Sequence, residues 1–277
     1  MYNFDGRCYT ELSAVPASVL ERLWEGPILQ TDWRIEKRAP LLLEATYFAL
    51  MAQLRRLRVQ IPLSYTMEFW DEQLRQTLSQ DPTQKSFIAR IAFYRTAAIA
   101  QDRPNSTLSF GIQIHPCDSL VDSVGTGATV ELFKDYYISS DPSSNLYGAH
   151  QRHRDWACVF AFENGFDNCF LLNTQKEVVA TAQGCCYLIQ NQTISTPPLS
   201  SGVEQSVLRT VFNEWLAQQA EFQFQEAVIS PFDLQKADEV FALSLEHGLK
   251  PVGQYRKTRY GNTQSKALFE AFVQTLF

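Results

Sequence analysis

Residues 164–209 read NGFDNCFLLNTQKEVVATAQGCCYLIQNQTISTPPLSSGVEQSVLR, and this stretch decides the fold of the second half of the chain. It consists of short apolar runs, several of them bounded by turn formers such as Asn173 and Asn191. Short apolar runs between turn formers are typical of strands. The pattern predicts strands at Cys169–Leu172, Val178–Ala180 and Cys185–Ile189.

The rest of the second half continues the same mixture of short strands and helices. Further strand candidates are Phe222–Val228 and Glu239–Leu245. Serine followed by proline is a typical helix start, because proline is tolerated at the first helical position. Helices are predicted at His153–Phe162, at Val203–Gln219, after Ser230-Pro231 and at Thr263–Phe277.

The first half of the chain has an α/β pattern. Apolar residues recur at helical spacing over Leu43–Arg58, which predicts an amphipathic helix. Met67–Leu78 is a second predicted helix, ended by Asp81 and Pro82. Strands are predicted at Phe87–Phe93 and Thr107–His115, and apolar and polar residues alternate in the second, so we expect it to have one wet face.

The small and flexible stretch DSLVDSVGTGAT, residues 118–129, marks a boundary between two domains. It contains two glycines and no large aromatic residue. We therefore expect an N-terminal α/β domain at 1–118, a linker at 119–129 and a C-terminal domain at 130–277.

Composition excludes several classes of function. The 277 residues carry a formal charge of −6, which favours neither the phosphate backbone of nucleic acid nor an anionic membrane. No stretch is apolar for long enough to span a membrane, and the N-terminus does not resemble a secretion signal, so a cytoplasmic location is expected. The six cysteines form no CxxC pair and are expected to be free, mostly buried thiols.

Six local patterns occur in order along the chain: PLLLEATYFALMAQLRRLRVQIP at 40–62, NGFDNCFLLN at 164–173, TPPL at 196–199, SVLR at 206–209, ADEVF at 237–241 and GLKPV at 248–252. Together they resemble the class IV (fold-type IV) pyridoxal-phosphate (PLP) enzymes, which include branched-chain and D-amino acid aminotransferases and aminodeoxychorismate lyase. The resemblance implies a small N-terminal α/β domain, a larger C-terminal domain with a barrel-like sheet, a cofactor cleft between them, and a homodimer.

The same resemblance indicates that the Schiff-base lysine of the family is missing. Aligned without gaps from Gly165, the position of the lysine holds Tyr147, and a looser match places it at Pro142. Neither side chain has an amine, so neither can form an imine with the cofactor aldehyde. On the helix at Leu43–Arg58, Thr46 and Ala49 stand where the family has a histidine and the phosphate-binding arginine.

Other cofactor positions have changed as well. Ala180 replaces the glutamate that pairs with the pyridine nitrogen, Cys185 stands where asparagine is common, and Ser206 replaces the glycine of the phosphate-binding turn, whereas Arg209 is retained. Two lost charge-assisted hydrogen bonds, at roughly 2 kcal/mol each, would lower affinity about a thousandfold. The resemblance therefore suggests a homologue that has lost PLP binding and transamination, with no metal.

Three alternatives stay open. Lys134, in ELFKDYY, is the only lysine placed to act as an unusual Schiff-base donor in an enzyme that still uses PLP. His150 and His153 form an HxxH pattern that suggests half of a metal site, although a surface histidine pair is the simpler interpretation. Tyr147 either fills an emptied cleft or binds a small polar or anionic ligand there, with Glu204, Arg209 and Thr196 nearby by analogy.

Overall fold

The computed structural model describes residues 1–23, 26–79, 85–95, 108–122 and 124–277. The chain divides into two compact units, Met1–Ser119 and Leu120–Phe277. Each unit is built on its own β-sheet.

The first unit is a six-stranded antiparallel sheet with helices packed on it, in the strand order β2-β1-β6-β5-β3-β4. Its strands are β1 (Tyr2–Phe4), β2 (Arg7–Tyr9), β3 (Leu29–Glu36), β4 (Ala39–Pro40), β5 (Phe87–Arg95) and β6 (Leu108–Pro116). Its helices are α1 (Ala17–Leu20), α2 (Leu43–Arg56) and α3 (Met67–Leu78).

The two amphipathic helices of the first half form as predicted, α3 with the predicted bounds. The Thr66 side chain accepts a hydrogen bond from the Phe69 amide and so caps the start of α3. Trp70 of α3 is fully buried, with its ring centroid 5.0 Å from Phe110 and 5.5 Å from Phe93 on the sheet. The residues predicted to end this helix, Asp81 and Pro82, lie outside the described residues.

The prediction of a wet face on the strand at 107–115 was wrong in part. Ser109 and Gly111 are buried, because the side chains of Phe4 and Asp5 lie against this side of the strand. Ser109 donates a hydrogen bond to Asp5, and the Phe4 ring lies against Gly111. Only Gln113 and His115 remain partly exposed, and Thr107 lies outside the described residues.

The second unit contains a mixed nine-stranded sheet, in the order β12-β11-β10-β13-β14-β7-β8-β9 with β15 paired to β14. Its strands are β7 (Ala128–Ile138), β8 (Asn168–Asn173), β9 (Val178–Thr181), β10 (Cys185–Gln190), β11 (Thr193–Thr196), β12 (Gln223–Glu226), β13 (Glu239–Ser244), β14 (Gly248–Tyr255) and β15 (Thr258–Arg259). Its helices are α4 (Gln151–Asn164), α5 (Val207–Leu216), α6 (Pro231–Leu234) and α7 (Thr263–Gln274).

The two ends of this sheet meet, which gives it the curled form of a barrel. Val178 at the start of β9 forms an antiparallel bridge with Ile229, just after β12, and its amide donates to the Ile229 carbonyl at 2.7 Å. Side chains from six strands fill the interior, where Phe170 of β8 packs edge-on against Tyr255 of β14 at 5.6 Å. The sheet of the second unit is therefore barrel-like.

The segment predicted as a linker, 119–129, belongs to the second unit from Leu120 onwards. Leu120 is fully buried at the start of a short 3-10 turn, Leu120–Asp122. The Gly125 amide donates to the Leu249 carbonyl at 3.0 Å, and β7 already begins at Ala128. Ser123 lies outside the described residues.

The helices of the second unit differ from the predictions mainly at their ends. The predicted helix Val203–Gln219 is shorter, because residues before Val207 adopt other conformations and the chain turns after Leu216. After Ser230-Pro231 only one helical turn forms, α6, and a reciprocal capping box between Ser230 and Asp233 caps its start. Within the described ranges, no helix is long and apolar enough to cross a membrane.

Candidate functional site

Two loops of the second unit lie against each other and contain several of the predicted site residues. One, residues 139–150, joins β7 to α4, and the other, residues 197–206, joins β11 to α5. The Asn145 amide nitrogen donates to the carbonyls of Leu199 at 2.9 Å and Val203 at 2.6 Å, and the Gln205 amide donates to the Asn145 carbonyl. Asn145 thus fastens the first loop to the second.

A close backbone approach tightens the same contact. Gly202 has φ of +91°, a left-handed conformation that glycine adopts without strain, and a Cβ there would overlap the Ser139 carbonyl. The Ser201 carbonyl next to it accepts hydrogen bonds from Asn173 at 3.0 Å and Ser140 at 3.3 Å. Any other residue at position 202 would force the two loops apart.

The Glu204 carboxylate bridges the two loops. It accepts hydrogen bonds from the backbone amides of Gly148 at 3.0 Å and His150 at 3.1 Å, and it pairs with Arg154 at 3.3 Å. Helix α4 has no acidic residue in its first turn and no side-chain cap of its own. Glu204 therefore supplies, from a distant part of the sequence, the negative charge that a helix N-terminus favours.

Tyr147 lies in the first loop, immediately before the amides that Glu204 binds. Its side chain is buried, and burial raises the pKa of the phenol well above its usual value, with a further rise from the nearby Glu204 carboxylate. The phenol is therefore neutral at physiological pH. It can donate or accept a hydrogen bond, but it cannot act as a base.

His150 is more buried than a surface histidine pair would be, so that interpretation was wrong for this residue. It is the N-cap residue of α4 and only 1% exposed. Burial lowers its pKa to about 4; the Glu204 carboxylate, 4.0 Å from Nδ1, opposes this shift, and Arg154 adds to it. The imidazole is therefore neutral near pH 7.

Cys185 begins strand β10, and its thiol is buried. Burial raises the pKa of this thiol, whereas Arg209 and Arg154 lower it. The Glu204 carboxylate raises the pKa of the thiol, so three charged groups act on Cys185. Because burial dominates, Cys185 is a thiol and not a thiolate nucleophile.

Arg209 and Ser206 are bound within the protein itself. The Ser206 hydroxyl is the N-cap of α5 and accepts a hydrogen bond from the Arg209 amide at 3.5 Å. The Arg209 guanidinium, 5% exposed, donates through Nη2 to the Pro197 carbonyl and to Glu226, both at 2.8 Å. Glu226 also accepts from Asn213, whose carbonyl oxygen accepts from the buried Tyr187 hydroxyl.

The remaining predicted positions lie on strands of the second unit or on helix α2 of the first unit. Ala180 is buried in β9, in an apolar cluster that also contains Val203. Thr46 and Ala49 lie on α2, where Thr46 is buried and Ala49 is half-buried. Thr196 is buried at the end of β11 and donates to the Cys186 carbonyl at 2.9 Å.

The two alternative sites, a lysine and a histidine pair, show little sign of a chemical role. Lys134 lies within β7 with an exposed side chain. His150 and His153 stand at the start of α4, but no group of three or more metal-ligating side chains occurs among the described residues.

Two residues of this site, Arg154 and Asn145, have roles that the sequence reasoning missed. Arg154 looks like an ordinary helix-surface residue, and Asn145 lies in a polar loop. The missing acidic residue at the start of α4 was the one available indication that a carboxylate from elsewhere would bind there. Nothing in the local sequence names Glu204 as its source.

The family described as amino-transferase class IV matches residues 33–255 of the chain. Among solved structures, the branched-chain amino acid aminotransferase from Thermobaculum terrenum in PLP form has a TM-score of 0.84 at 15% identity, covering 99% of this chain and 93% of its own. The branched-chain aminotransferase from Thermoproteus uzoniensis with norvaline has a TM-score of 0.83 at 18% identity, covering 99% of this chain and 94% of its own. The putative 4-amino-4-deoxychorismate lyase from Legionella pneumophila has a TM-score of 0.79 at 18% identity, covering 97% of this chain and 98% of its own.

No curated protein matches the chain in sequence. The structural likeness extends over nearly the whole chain and establishes the fold, which is that of the fold-type IV aminotransferases. The family match extends over most of the sequence and includes the helix α2 and the loops around Glu204. The chain therefore belongs to the class IV aminotransferase family.

Proposed function

We propose that this protein is a class IV aminotransferase homologue that has lost PLP-dependent transamination and acts by binding a small polar or anionic ligand. The observation that carries the proposal is Tyr147, the residue at the aligned lysine position, with its buried and neutral phenol. A phenol cannot form the carbon–nitrogen double bond that holds the cofactor in this family. The looser alignment, with Pro142 at this position, leads to the same conclusion.

The donor groups around Tyr147 do not fit the cofactor. A phosphate needs several free amides and cations together, but Glu204 already accepts from the amides of Gly148 and His150, and Nη2 of Arg209 already donates to Glu226 and the Pro197 carbonyl. Of the buried guanidinium donors of Arg209, this leaves Nε without a partner in the described part of the chain. The pyridine nitrogen needs a carboxylate, and Ala180 offers none. The carboxylates of Glu204 and Glu226 thus already accept hydrogen bonds from donors that an anionic cofactor would need.

The lysines support the same proposal. Among the residues that the structure describes, no lysine is buried. A lysine that forms an imine is usually desolvated, because burial favours the neutral amine that attacks the aldehyde. Lys134, the one alternative donor, is exposed on β7.

The ligand chemistry is suggested by donors that remain unused. The Nε atoms of Arg154 and Arg209 are buried and have no hydrogen-bond partner in the part of the chain that the structure describes. Buried unsatisfied donors are costly and are usually completed by water or a ligand. Acidic or carbonyl oxygens of a small metabolite would satisfy them.

Family membership itself favours a second candidate function, a working PLP-dependent aminotransferase or lyase that uses Lys134. The two are separated by incubating the protein with PLP, reducing with borohydride and mapping any labelled lysine by mass spectrometry. We expect no stoichiometric label in the wild type. A label at a single lysine, lost in Lys134→Ala and accompanied by amino-group transfer, would refute the proposal.

A gain-of-function variant tests whether position 147 is the correct place. Tyr147→Lys places an amine where the aligned family lysine stands, and Tyr147→Phe is the matched control without an amine. If the site lacks only the amine, Tyr147→Lys is labelled and the control is not. If neither is labelled, the loss of the phosphate and pyridine contacts is the larger change, as the arrangement of Glu204 suggests.

A further inference from the structure

A cavity opens at one end of the sheet of the second unit, where the end of β10 meets the starts of β11 and β12. It has a volume of about 780 Å³ and is open to solvent. One wall is the turn between β10 and β11, residues 191–193, and the other is the segment 220–223, which leads from α5 into β12. We name it the hairpin cavity. Its volume is typical of small-molecule sites, which are frequent at the mouths of β-barrels.

The two walls of the hairpin cavity are held in place by the fold itself. The Gln223 amide donates a hydrogen bond to the Gln192 carbonyl at 2.8 Å and so joins one wall to the other. Asn191 has φ of +54°, a left-handed conformation that asparagine tolerates, and its amide donates to the Asp238 carboxylate at 2.6 Å. A ligand would therefore enter a site that is already formed, which lowers the entropic cost of binding.

The polar side chains that line the cavity are not used by the fold. Those of Asn191, Gln192, Thr193, Glu221 and Gln223 make no hydrogen bond or ion pair with any residue that the structure describes. Thr193 and Gln223 are paired in the register of β11 and β12, so their side chains leave the sheet on the same face. Their hydroxyl and amide groups therefore stand side by side, free to bind a molecule in the cavity.

The lining residues exclude three classes of ligand. All seven of them are described, and none is a lysine or an arginine, so a phosphate or carboxylate would meet Glu221 without a compensating cation. Glu221 is also the one carboxylate among the seven, which is too few for a site that binds Ca²⁺ or Mg²⁺. Five of the seven are polar, and an apolar molecule would bury them without hydrogen bonds.

We propose that the hairpin cavity binds a neutral carbohydrate, a mono- or disaccharide, through its hydroxyl groups. The carboxamides of Asn191, Gln192 and Gln223 each donate and accept hydrogen bonds, as sugar hydroxyls also do. The Glu221 carboxylate has two oxygens that accept from neighbouring hydroxyls. Phe222 is half-buried in the same wall and offers an apolar ring to the C–H face of a sugar.

The hairpin cavity does not depend on the function proposed above. Gln223 begins β12, and Glu226, which binds Arg209, ends it, about 10 Å further along the strand. Residues three apart on a strand point to opposite faces, so the side chains of Gln223 and Glu226 lie on opposite sides of the sheet. A sugar can therefore bind whether or not a ligand occupies the site around Tyr147.

The test follows the backbone amide signals of the protein by nuclear magnetic resonance while one sugar at a time is added. The sugars are D-glucose, D-galactose, D-mannose, D-ribose, maltose and lactose. We expect at least one of them to shift the signals of residues 191–193 and 220–223 with a Kd on the order of 1 mM, as a few hydrogen bonds in an open site would give. Sodium sulfate and putrescine, added in the same way, test for an anion and a cation. Binding of only these ions, or no shift at the cavity residues with any sugar up to about 50 mM, overturns the proposal.

Substitutions of exposed side chains then identify the binding groups without disturbing the fold. Glu221→Gln removes the charge of the acceptor and should weaken sugar binding about fivefold, and Gln223→Ala should weaken it about threefold. Glu270→Gln and Gln274→Ala make the same changes at exposed positions of α7 and leave the Kd unchanged.

The aromatic contact is tested separately, because Phe222 is half-buried. Phe222→Ala should weaken sugar binding about tenfold, while unshifted amide signals outside the cavity show that the fold is retained. Phe232→Ala removes a ring that is 72% exposed elsewhere in the second unit, and it leaves the Kd unchanged. Sugar binding that none of the three cavity variants weakens would place the sugar elsewhere and overturn the proposal.

Discussion

Removing the Glu204 carboxylate destabilises the second unit by about 3 kcal/mol. In Glu204→Ala, the amides of Gly148 and His150 lose their acceptor, and a buried unsatisfied donor costs at least about 1 kcal/mol. The ion pair with Arg154, whose partners are 24% and 12% exposed, adds up to about 1 kcal/mol. Glu204→Gln keeps one accepting oxygen, so it loses the ion pair and one of the two amide hydrogen bonds, and about 2 kcal/mol is expected.

The assay is denaturant unfolding at neutral pH, supported by thermal unfolding. For a unit of this size, about 3 kcal/mol corresponds to a fall in Tm of roughly 6–12 °C. Arg154→Ala is the matched partner variant, and the double variant Glu204→Ala/Arg154→Ala should cost less than the sum of the two single variants. The difference measures the ion pair alone.

The result that would refute this reasoning is a Glu204→Ala variant within about 0.5 kcal/mol of the wild type. In that case, water replaces the carboxylate at the start of α4 without cost. If the effects of the two single variants add up in the double variant, the ion pair does not contribute to stability, but the contribution of the two amide hydrogen bonds still stands.

Three further predictions concern stability. The pKa of His150 falls from 6.5 in the unfolded chain to about 4 in the folded chain, so the stability that the neutral imidazole contributes is complete above pH 6.5 and is lost as the pH falls to about 4, by up to about 3 kcal/mol. In His150→Gln, the unfolding free energy should therefore depend less on pH in this range, and an unchanged slope would contradict the prediction. Asn145→Ala removes two buried hydrogen bonds and should cost about 2 kcal/mol in urea unfolding, against under about 0.5 kcal/mol for the exposed control Gln151→Ala. Glu239, 3% exposed, binds the Gln264 and Ser265 amides at the start of α7, and Glu239→Ala should cost about 3 kcal/mol and speed amide hydrogen exchange in α7; unaltered exchange there would contradict this.

The sequence patterns predicted those elements whose local and tertiary preferences agree. Helix α3 has the predicted bounds, because its apolar spacing matches the face that it buries and Thr66 caps its start. Helix α5 was predicted four residues too early, because residues 203–206 are held out of the helix by contacts with Asn145, Gly148 and His150. Those contacts come from residues more than 50 positions away, which no local pattern contains.

Strand β3 escaped prediction for a different physical reason. Its sequence LQTDWRIE carries charged residues that are typical of a surface loop. In the folded chain Arg34 and Glu36 are both buried and bond each other at 2.7 Å, so the strand lies within the sheet with its charges neutralised. A sequence pattern can predict that a charged residue is buried only when the residue that pairs with it is known.

The positions of the candidate site stay predictions from the resemblance, and its organisation was not predicted. Resemblance to the family assigned positions 147, 180, 185, 206 and 209, and in the structure the charge of Arg209 acts on Cys185. The central role of Glu204 was not predicted beyond its proximity, because it depends on the first turn of α4 lacking an acid of its own. The contact between the two loops is a tertiary property.

The bridge between Val178 and Ile229 also bears on how the second unit comes apart. A sheet with free margins can fray one strand at a time, but a ring of paired strands loses its registry only when several pairs open together. The Val178 amide should therefore be among the last to exchange its hydrogen in deuterated solvent, and a protease should find few partly opened forms of this unit to cut. We therefore expect the bridge between Val178 and Ile229 to make the second unit more resistant to proteolysis.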